Sequence, residues 1–145
     1  MLERSFDVER INAVANHPEV RPFIGAPELG ELDFADAVEN DKNWFLMGEH
    51  GGYVLVWSAP NVHEVHVCIL PEGRGKWAAQ ARQATIDYAV DNGVEMLWAR
   101  VAPTDRSVAL YARRGGMQPT GEMIYTLGSA YDLYKMELPK CLKQQ

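Results

Sequence analysis

Ile69-Leu70-Pro71-Glu72-Gly73-Arg74-Gly75-Lys76-Trp77-Ala78-Ala79-Gln80-Ala81-Arg82-Gln83-Ala84-Thr85-Ile86-Asp87-Tyr88-Ala89 is the stretch around which the chain is organised. An apolar, β-prone run (Val65, Val67, Ile69, Leu70) stops at Pro71. A short turn rich in Gly and Arg follows, and an Ala-rich helical run begins. A strand that feeds a helix through a glycine turn leaves the first helical N–H groups unpaired and aimed at one spot. With the helix dipole and the cations Arg74 and Lys76, that spot attracts phosphate. The bland alternative is a helix start made soluble by two cations.

Upstream, Asp7 to Asn16 carries helical spacing (Val8, Ile11, Val14, Ala15), with Asp7 or Ser5 as cap and Pro18 as limit. Residues 16–25, with two prolines, read as loop, and Asp33 to Glu39 as a second short helix. Trp44 to Met47 and Tyr53 to Trp57 read as strands joined by a turn through Gly48-Glu49-His50-Gly51-Gly52. A third strand runs from Val62 to Leu70, and the central helix from Gly75 to Asp91, where Asn92-Gly93 stops it. Then come a strand (Glu95 to Val101), a helix (Ser107 to Arg114, capped by Thr104 or Asp105) and two strands (Gly121 to Leu127 and Tyr131 to Glu137). The expected organisation is one domain over residues 1–138, followed by a polar tail, 139–145. The order is mixed α/β with an antiparallel first half.

The totals limit the functional classes. The net charge of −6 argues against a nonspecific nucleic-acid coat, although seven arginines and lysines from Arg74 to Arg114 form a basic second half. No apolar run approaches the roughly 20 residues of a membrane span. The charged N-terminus lacks the apolar core of a signal peptide. Cys68 and Cys141 show neither metal nor disulfide-framework spacing, which fits a reducing, cytoplasmic setting. No metal cluster and no Ser-His-Asp arrangement emerges. Cys68 reads as a packed residue.

With Ile69-Leu70-Pro71-Glu72-Gly73-Arg74-Gly75-Lys76-Trp77-Ala78 at its centre, the order resembles the GNAT superfamily of acyl-CoA N-acyltransferases. Motif-level likeness covers Val62 to Gly116. In that family a strand ending in Pro-Glu leads into a turn of pattern Q/R-x-x-G-x-G/A that holds a pyrophosphate. Arg74 and Ala79 match its ends, and Trp77 stands where the family has glycine. An indole there either crowds the pyrophosphate or points away. Thr104 to Gly116 is similar to the family's N-x-x-A-x-x-L-Y-x-x-x-G-F block: Leu110, Tyr111 and Gly115 match, whereas Thr104, Ser107 and Gly116-Met117 depart.

The resemblance implies a mostly antiparallel sheet of six or seven strands flanked by helices, with a splayed central strand pair. It implies acetyl-CoA as cosubstrate and an amine of a small molecule or protein as acceptor. The cosubstrate would lie against Cys68, Ile69, Leu70, Arg74, Gly75, Lys76, Trp77, Ala78, Ala79 and Ser107. The N–H of Ile69 or Leu70 is the implied oxyanion donor. Glu64 is placed like the family's base. His66, two residues on and so on the same strand face, is a second candidate, because imidazole changes charge near neutrality. Tyr111 is the candidate acid for the leaving thiolate. Each has a bland reading: a solvent-facing Glu64, a packed His66, a core Tyr111. Trp44 and Trp57 read as core residues; His17, Arg21, Phe23 and, alternatively, Trp44 are candidates for the acceptor side.

The competing reading is a catalytically degenerate copy of the fold with a structural, virion or host-interaction role, favoured by Trp77 and the altered second block. The compact sequence also resembles bacteriophage-encoded versions, which would place it in the host cytoplasm or a particle. A homodimer is compatible with either reading, and a nucleic-acid module is weak on charge.

Overall fold

Two glycines make the first hairpin. Gly51 adopts φ +99°, and a Cβ on it would stand 2.1 Å from the Cys68 carbonyl oxygen. A Cβ on Gly52 would stand 1.8 Å from that of Leu46. Only glycine lets these strands close so tightly. The computed structural model, which describes residues 1–25, 29–126 and 128–140, shows β2 (Trp44–Gly48) and β3 (Gly51–Ala59) joined through Glu49 and His50. The strands predicted at 44–47 and 53–57 are each extended toward that turn.

Ahead of the hairpin lie β1 (Glu3–Arg4), α1 (Val8–Ala15) and α2 (Ala35–Glu39). The Asp7 side chain caps α1 by accepting from the Arg10 N–H at 3.1 Å. After it come β4 (Val62–Ile69), α3 (Lys76–Asp91), β5 (Met96–Val101), α4 (Arg106–Arg114), β6 (Gln118–Thr126) and β7 (Ser129–Glu137). The cap of α4 is Asp105, not Thr104: its carboxylate accepts from the Val108 N–H at 3.1 Å. Leu127, Cys141 and the tail from residue 141 onward lie outside the described residues.

The strands form one seven-stranded sheet in the order β1-β2-β3-β4-β5-β7-β6, antiparallel except between β4 and β5. β1 escapes sequence reading because two charged residues carry no alternation. It exists through pairing of Glu3 with Met47 and Arg4 with Leu46.

Alternation along the strands divides the core in two. Phe45, Met47, Val54 and Cys68 pack with Ile11, Val14 and Val38 of α1 and α2. Leu46, Leu55, Leu97 and Val101 pack with Ala89 on the face covered by α3 and α4. The buried positions of α3 are all small: Ala78, Ala81, Thr85 and Ala89. At three- and four-residue spacing they form one stripe, and their size lets the helix lie close on the sheet. The Thr85 hydroxyl is satisfied by donating to the Ala81 carbonyl at 2.9 Å. Among the described residues no helix is long and apolar enough to cross a membrane.

Candidate active site

The site follows from a pairing that stops early. β4 and β5 are matched only over Val62–Met96, His63–Leu97 and Glu64–Trp98. Beyond that, β4 stays paired to β3 as far as Ile69, while β5 stays paired to β7 as far as Val101. The sheet therefore opens in its middle.

Backbone direction in the opening is fixed by ladder alternation. The Leu70 N–H donates to the His50 carbonyl at 2.9 Å on the β3 side. Antiparallel pairs alternate between bonded and non-bonded, so the even-numbered residues of β4 point their polar groups at β3. Val65, Val67 and Ile69 point theirs toward the space that β5 has left. Of the two implied oxyanion donors, Leu70 is thus engaged and Ile69 is the one aimed into the opening. Cys68 leaves the cosubstrate set for the same reason. Its backbone faces β3, its side chain packs in the α1/α2 core, and burial pushes its thiol pKa up to about 12.

A cavity of about 410 Å³ occupies the opening. Val65, Val67 and Ile69 line it from the α3/α4 face; His66, Arg100 and Phe23 line it from the other, so it passes through the sheet. Arg74, Gly75 and Ala78 at the start of α3 and Ser107 on α4 also border it. Among the described residues no side chain caps the start of α3, whose Gly75 stands at φ +104°. Its first amides are therefore left for a ligand. The Ser107 hydroxyl donates to Asp105 at 2.9 Å as part of the α4 cap. Arg74 donates to the Glu19 carbonyl at 2.5 Å and lies 6.0 Å from the Phe23 ring centre.

Lys76, Trp77 and Ala79 lie off the cavity wall. The indole of Trp77 turns back and meets the His50 ring edge-on, 5.1 Å centre to centre. Two glycines make room for it: a Cβ on Gly48 would come within 2.9 Å of the indole, and one on Gly73 within 3.0 Å. The departure from glycine at 77 is thus accommodated behind the turn.

Glu64 and His66 come together, with a third residue that sequence reading had only counted among the basic patch. The buried Glu64 carboxylate accepts from Arg100 Nε at 2.6 Å and Nη2 at 3.3 Å, and His66 Nε2 stands 3.1 Å from its Oε1. Burial by itself would raise the Glu64 pKa; the bonds and charges of His66 and Arg100 outweigh it and hold the carboxyl below its ordinary value. Because a carboxylate only accepts, His66 Nε2 carries the proton and Nδ1 is the basic nitrogen of the neutral ring.

Across the cavity the Tyr111 hydroxyl is hydrogen-bonded to that of Tyr53, and the Arg82 guanidinium lies 5.4 Å from the Tyr111 ring centre. Tyr53 is buried. Burial first, then the Tyr111 hydroxyl, raise its pKa above the ordinary phenol value, so it stays protonated; its hydroxyl also faces the Ala78 carbonyl at 3.5 Å, and either tyrosine can donate in the pair. Nothing in the sequence links residues 53 and 111, which only the sheet and α4 bring together.

Of the acceptor-side candidates, Phe23 lines the cavity. His17 Nδ1 accepts from the Glu19 N–H within its own turn, and Arg21 donates to the carbonyls of Ile24 and Gly30. Trp44 is corrected as an acceptor-side candidate and keeps its core reading. It lies on the α3 face, stacked 4.2 Å from His63 and edge-on to Tyr88, because alternation along β2 turns Trp44 and Leu46 to that side. Trp57, by contrast, is exposed. Among the described residues there is no metal-binding cluster.

No family model matches the chain, and no curated protein matches it. Solved structures do. A spermidine N-acetyltransferase mutant from Vibrio cholerae aligns at 15% identity over 99% of this chain and 96% of its own, with TM-score 0.72. A ribosomal-protein-alanine N-acetyltransferase from Brucella melitensis aligns at 14% over 95% and 99%, with TM-score 0.71. A putative acetyltransferase from Salmonella typhimurium, solved with its cofactor acetyl-CoA, aligns at 14% over 97% and 94%, also at 0.71. The likeness to bacteriophage-encoded proteins finds no support among these three. The chain has the fold of the GNAT acetyltransferases: a seven-stranded, mostly antiparallel sheet flanked by helices and opened between its fourth and fifth strands.

Proposed function

We propose that the chain is an N-acyltransferase that moves an acetyl group from acetyl-CoA to an amine. The observation that carries this reading is the opening between β4 and β5, with free strand amides along one wall, His66 on one side of the sheet and Tyr111 on the other. Acetyl-CoA fits the residues present: an uncapped helix start and Arg74 for its diphosphate, and the edge of Val65, Val67 and Ile69 for its amide-bearing arm. It would supply a thioester carbon open to attack. The Salmonella typhimurium structure carries acetyl-CoA on the same fold, which supports this choice.

The chain's own residues then divide the work. The Ile69 N–H donates to the carbonyl oxygen as negative charge develops on it. His66 Nδ1 takes the proton from the attacking amine, and Glu64 holds the ring in that tautomer and balances the imidazolium that forms. Glu64, bonded to Arg100 and to the His66 ring, orients the base instead of acting as one. The Tyr111 hydroxyl gives its proton to the departing thiolate. Tyr53 donates to the phenolate left behind, and Arg82 adds positive charge beside it. Holding both reactants in one cleft supplies much of the rate by proximity.

Release of free thiol from acetyl-CoA, followed over a panel of amines, tests the reading. Tyr111→Phe is expected to lower kcat while leaving acetyl-CoA binding within about two-fold, and Arg74→Ala to weaken binding. Equal loss of both quantities in both variants contradicts the assigned roles. The inert-scaffold alternative rested on Trp77 and on the altered second block; of these, the indole stands clear of the cavity. A melting temperature unmoved by saturating acetyl-CoA would restore it.

A further inference from the structure

The reading of the cleft as an acyltransfer site leaves the acceptor unnamed, and the cavity wall bears on it. Arg74, Arg82, Arg100 and His66 line the cavity, while among the described residues no aspartate or glutamate does. Arg82 belongs to the half formed by α3 and α4, while Arg74, just before α3, reaches across to the Glu19 carbonyl and the Phe23 ring. Arg100 belongs to the other half: it shares a face with Trp98, 5.3 Å from that ring, and with His66.

The carboxylate bonded to Arg100 is withdrawn from a ligand. The Glu64 side chain is 8% exposed, against 33% for Arg100 and 20% for His66. A molecule entering from this face therefore meets the cation and the imidazole, with the acid beneath them. Arg100 spends Nε and Nη2 on Glu64, and among the described residues Nη1 has no partner. The guanidinium is thus fixed in plane by one fork and offers its remaining nitrogen. His66 Nε2 and Arg100 Nη2 both lie within 3.3 Å of the same Glu64 oxygen, so the imidazole and the guanidinium are held as neighbours on this wall. Phe23 and Val20 supply an apolar wall beside them.

The geometry points to an acceptor that carries an oxyanion a few bonds from its nucleophilic nitrogen: an amino-acid-like amine whose carboxylate is bound by Arg100 while its nitrogen faces His66. A polyamine, a chain of cations, finds no counter-charge on this wall and meets Arg100 instead. The reaction balances as an ordinary acyl transfer. The N–C bond forms, the C–S bond breaks, the amine proton goes to His66, and the thiolate is protonated by Tyr111.

The test pairs each common L-amino acid with its decarboxylated amine and adds spermidine, comparing kcat/KM at fixed acetyl-CoA. For the best acceptor the carboxylate is expected to favour the amino acid by about ten-fold or more, the worth of one hydrogen bond to a charged group. Arg100→Lys keeps a cation beside Glu64 but loses the fork, and is expected to bring that ratio close to one. Reading the ratio within a single preparation cancels any loss of folded protein. Equal or better turnover of the decarboxylated amines or of spermidine overturns the inference. So does a protein that binds acetyl-CoA by calorimetry yet acetylates no carboxylate-bearing amine. Failure to bind acetyl-CoA at all overturns the acyltransferase reading beneath it, and calorimetry on the same sample separates the two failures.

Discussion

Replacing Glu64 by Gln keeps the shape of the side chain and removes its charge from between two partners. Arg100 donates to it at 2.6 and 3.3 Å, and His66 stands at 3.1 Å. Removing one member of a buried pair commonly costs about 3–5 kcal/mol, because the other is left buried without counter-charge. Arg100 keeps a third of its side chain in solvent, which sets the expectation at the lower end, about 3 kcal/mol. For a chain of this size that corresponds to roughly 6–12 °C in Tm. The pH dependence gives the mechanism a sharper test. The folded-state pKa of Glu64 lies below its ordinary value of 4.5. Its contribution is therefore complete above about pH 4.5 and is lost as the pH falls through the folded-state value. Urea denaturation of both proteins at pH 7 and across the range below 4.5 should show a gap that closes toward acid. A gap that is absent at pH 7, or constant with pH, refutes the assignment of Glu64 as a charged, doubly bonded carboxylate.

Three further expectations use other parts of the molecule. Trp77→Gly is expected to leave acetyl-CoA affinity unimproved in calorimetry and to lower Tm, because the indole fills the space beside Gly48, Gly73 and His50; tighter binding contradicts that placement. Gly51→Ala places a Cβ 2.1 Å from a backbone oxygen at φ +99° and should cost more than about 3 kcal/mol, whereas Gly75→Ala, at φ +104° and ψ −127° with open space around it, should cost only the roughly 1–3 kcal/mol of a backbone conformation that suits glycine; urea titrations of the two variants check the order. Burial lowers the pKa of His63, whose Nε2 donates to the Lys42 carbonyl at 2.8 Å while Nδ1 is buried without a partner among the described residues. Its folded value lying below the ordinary 6.5, stability should be unaffected above that pH and decline as the pH falls beneath it, and His63→Phe should flatten that part of the Tm–pH curve.

What the sequence made legible was local or periodic. The strand-turn-helix at Ile69 to Ala89, the apolar stripe of α1 and the stop at Asn92-Gly93 each show within a few residues. The pairing of Glu64 with His66 was readable for the same reason, since residues two apart on a strand share a face. The rest of the site is long-range. Arg100 reaches Glu64 across 36 positions and Tyr53 meets Tyr111 across 58, contacts that depend on sheet order. The direction of Trp77 was undecidable locally, because the room for it comes from Gly48, on another strand. The choice between the Ile69 and Leu70 amides likewise required the β3–β4 register. Between the core and the acceptor-side readings of Trp44 the sequence could not choose, because aromatic content gives no strand parity; the core reading holds.

The most direct measurement is an isothermal titration of acetyl-CoA into the purified protein, repeated with Ala78→Trp to fill the cavity beside the start of α3. Saturable heat at one molecule per chain, abolished in a variant that still melts cooperatively, is the result expected of a cleft that holds a thioester between β4 and β5. No heat up to millimolar acetyl-CoA, or heat undiminished in the filled variant, contradicts it.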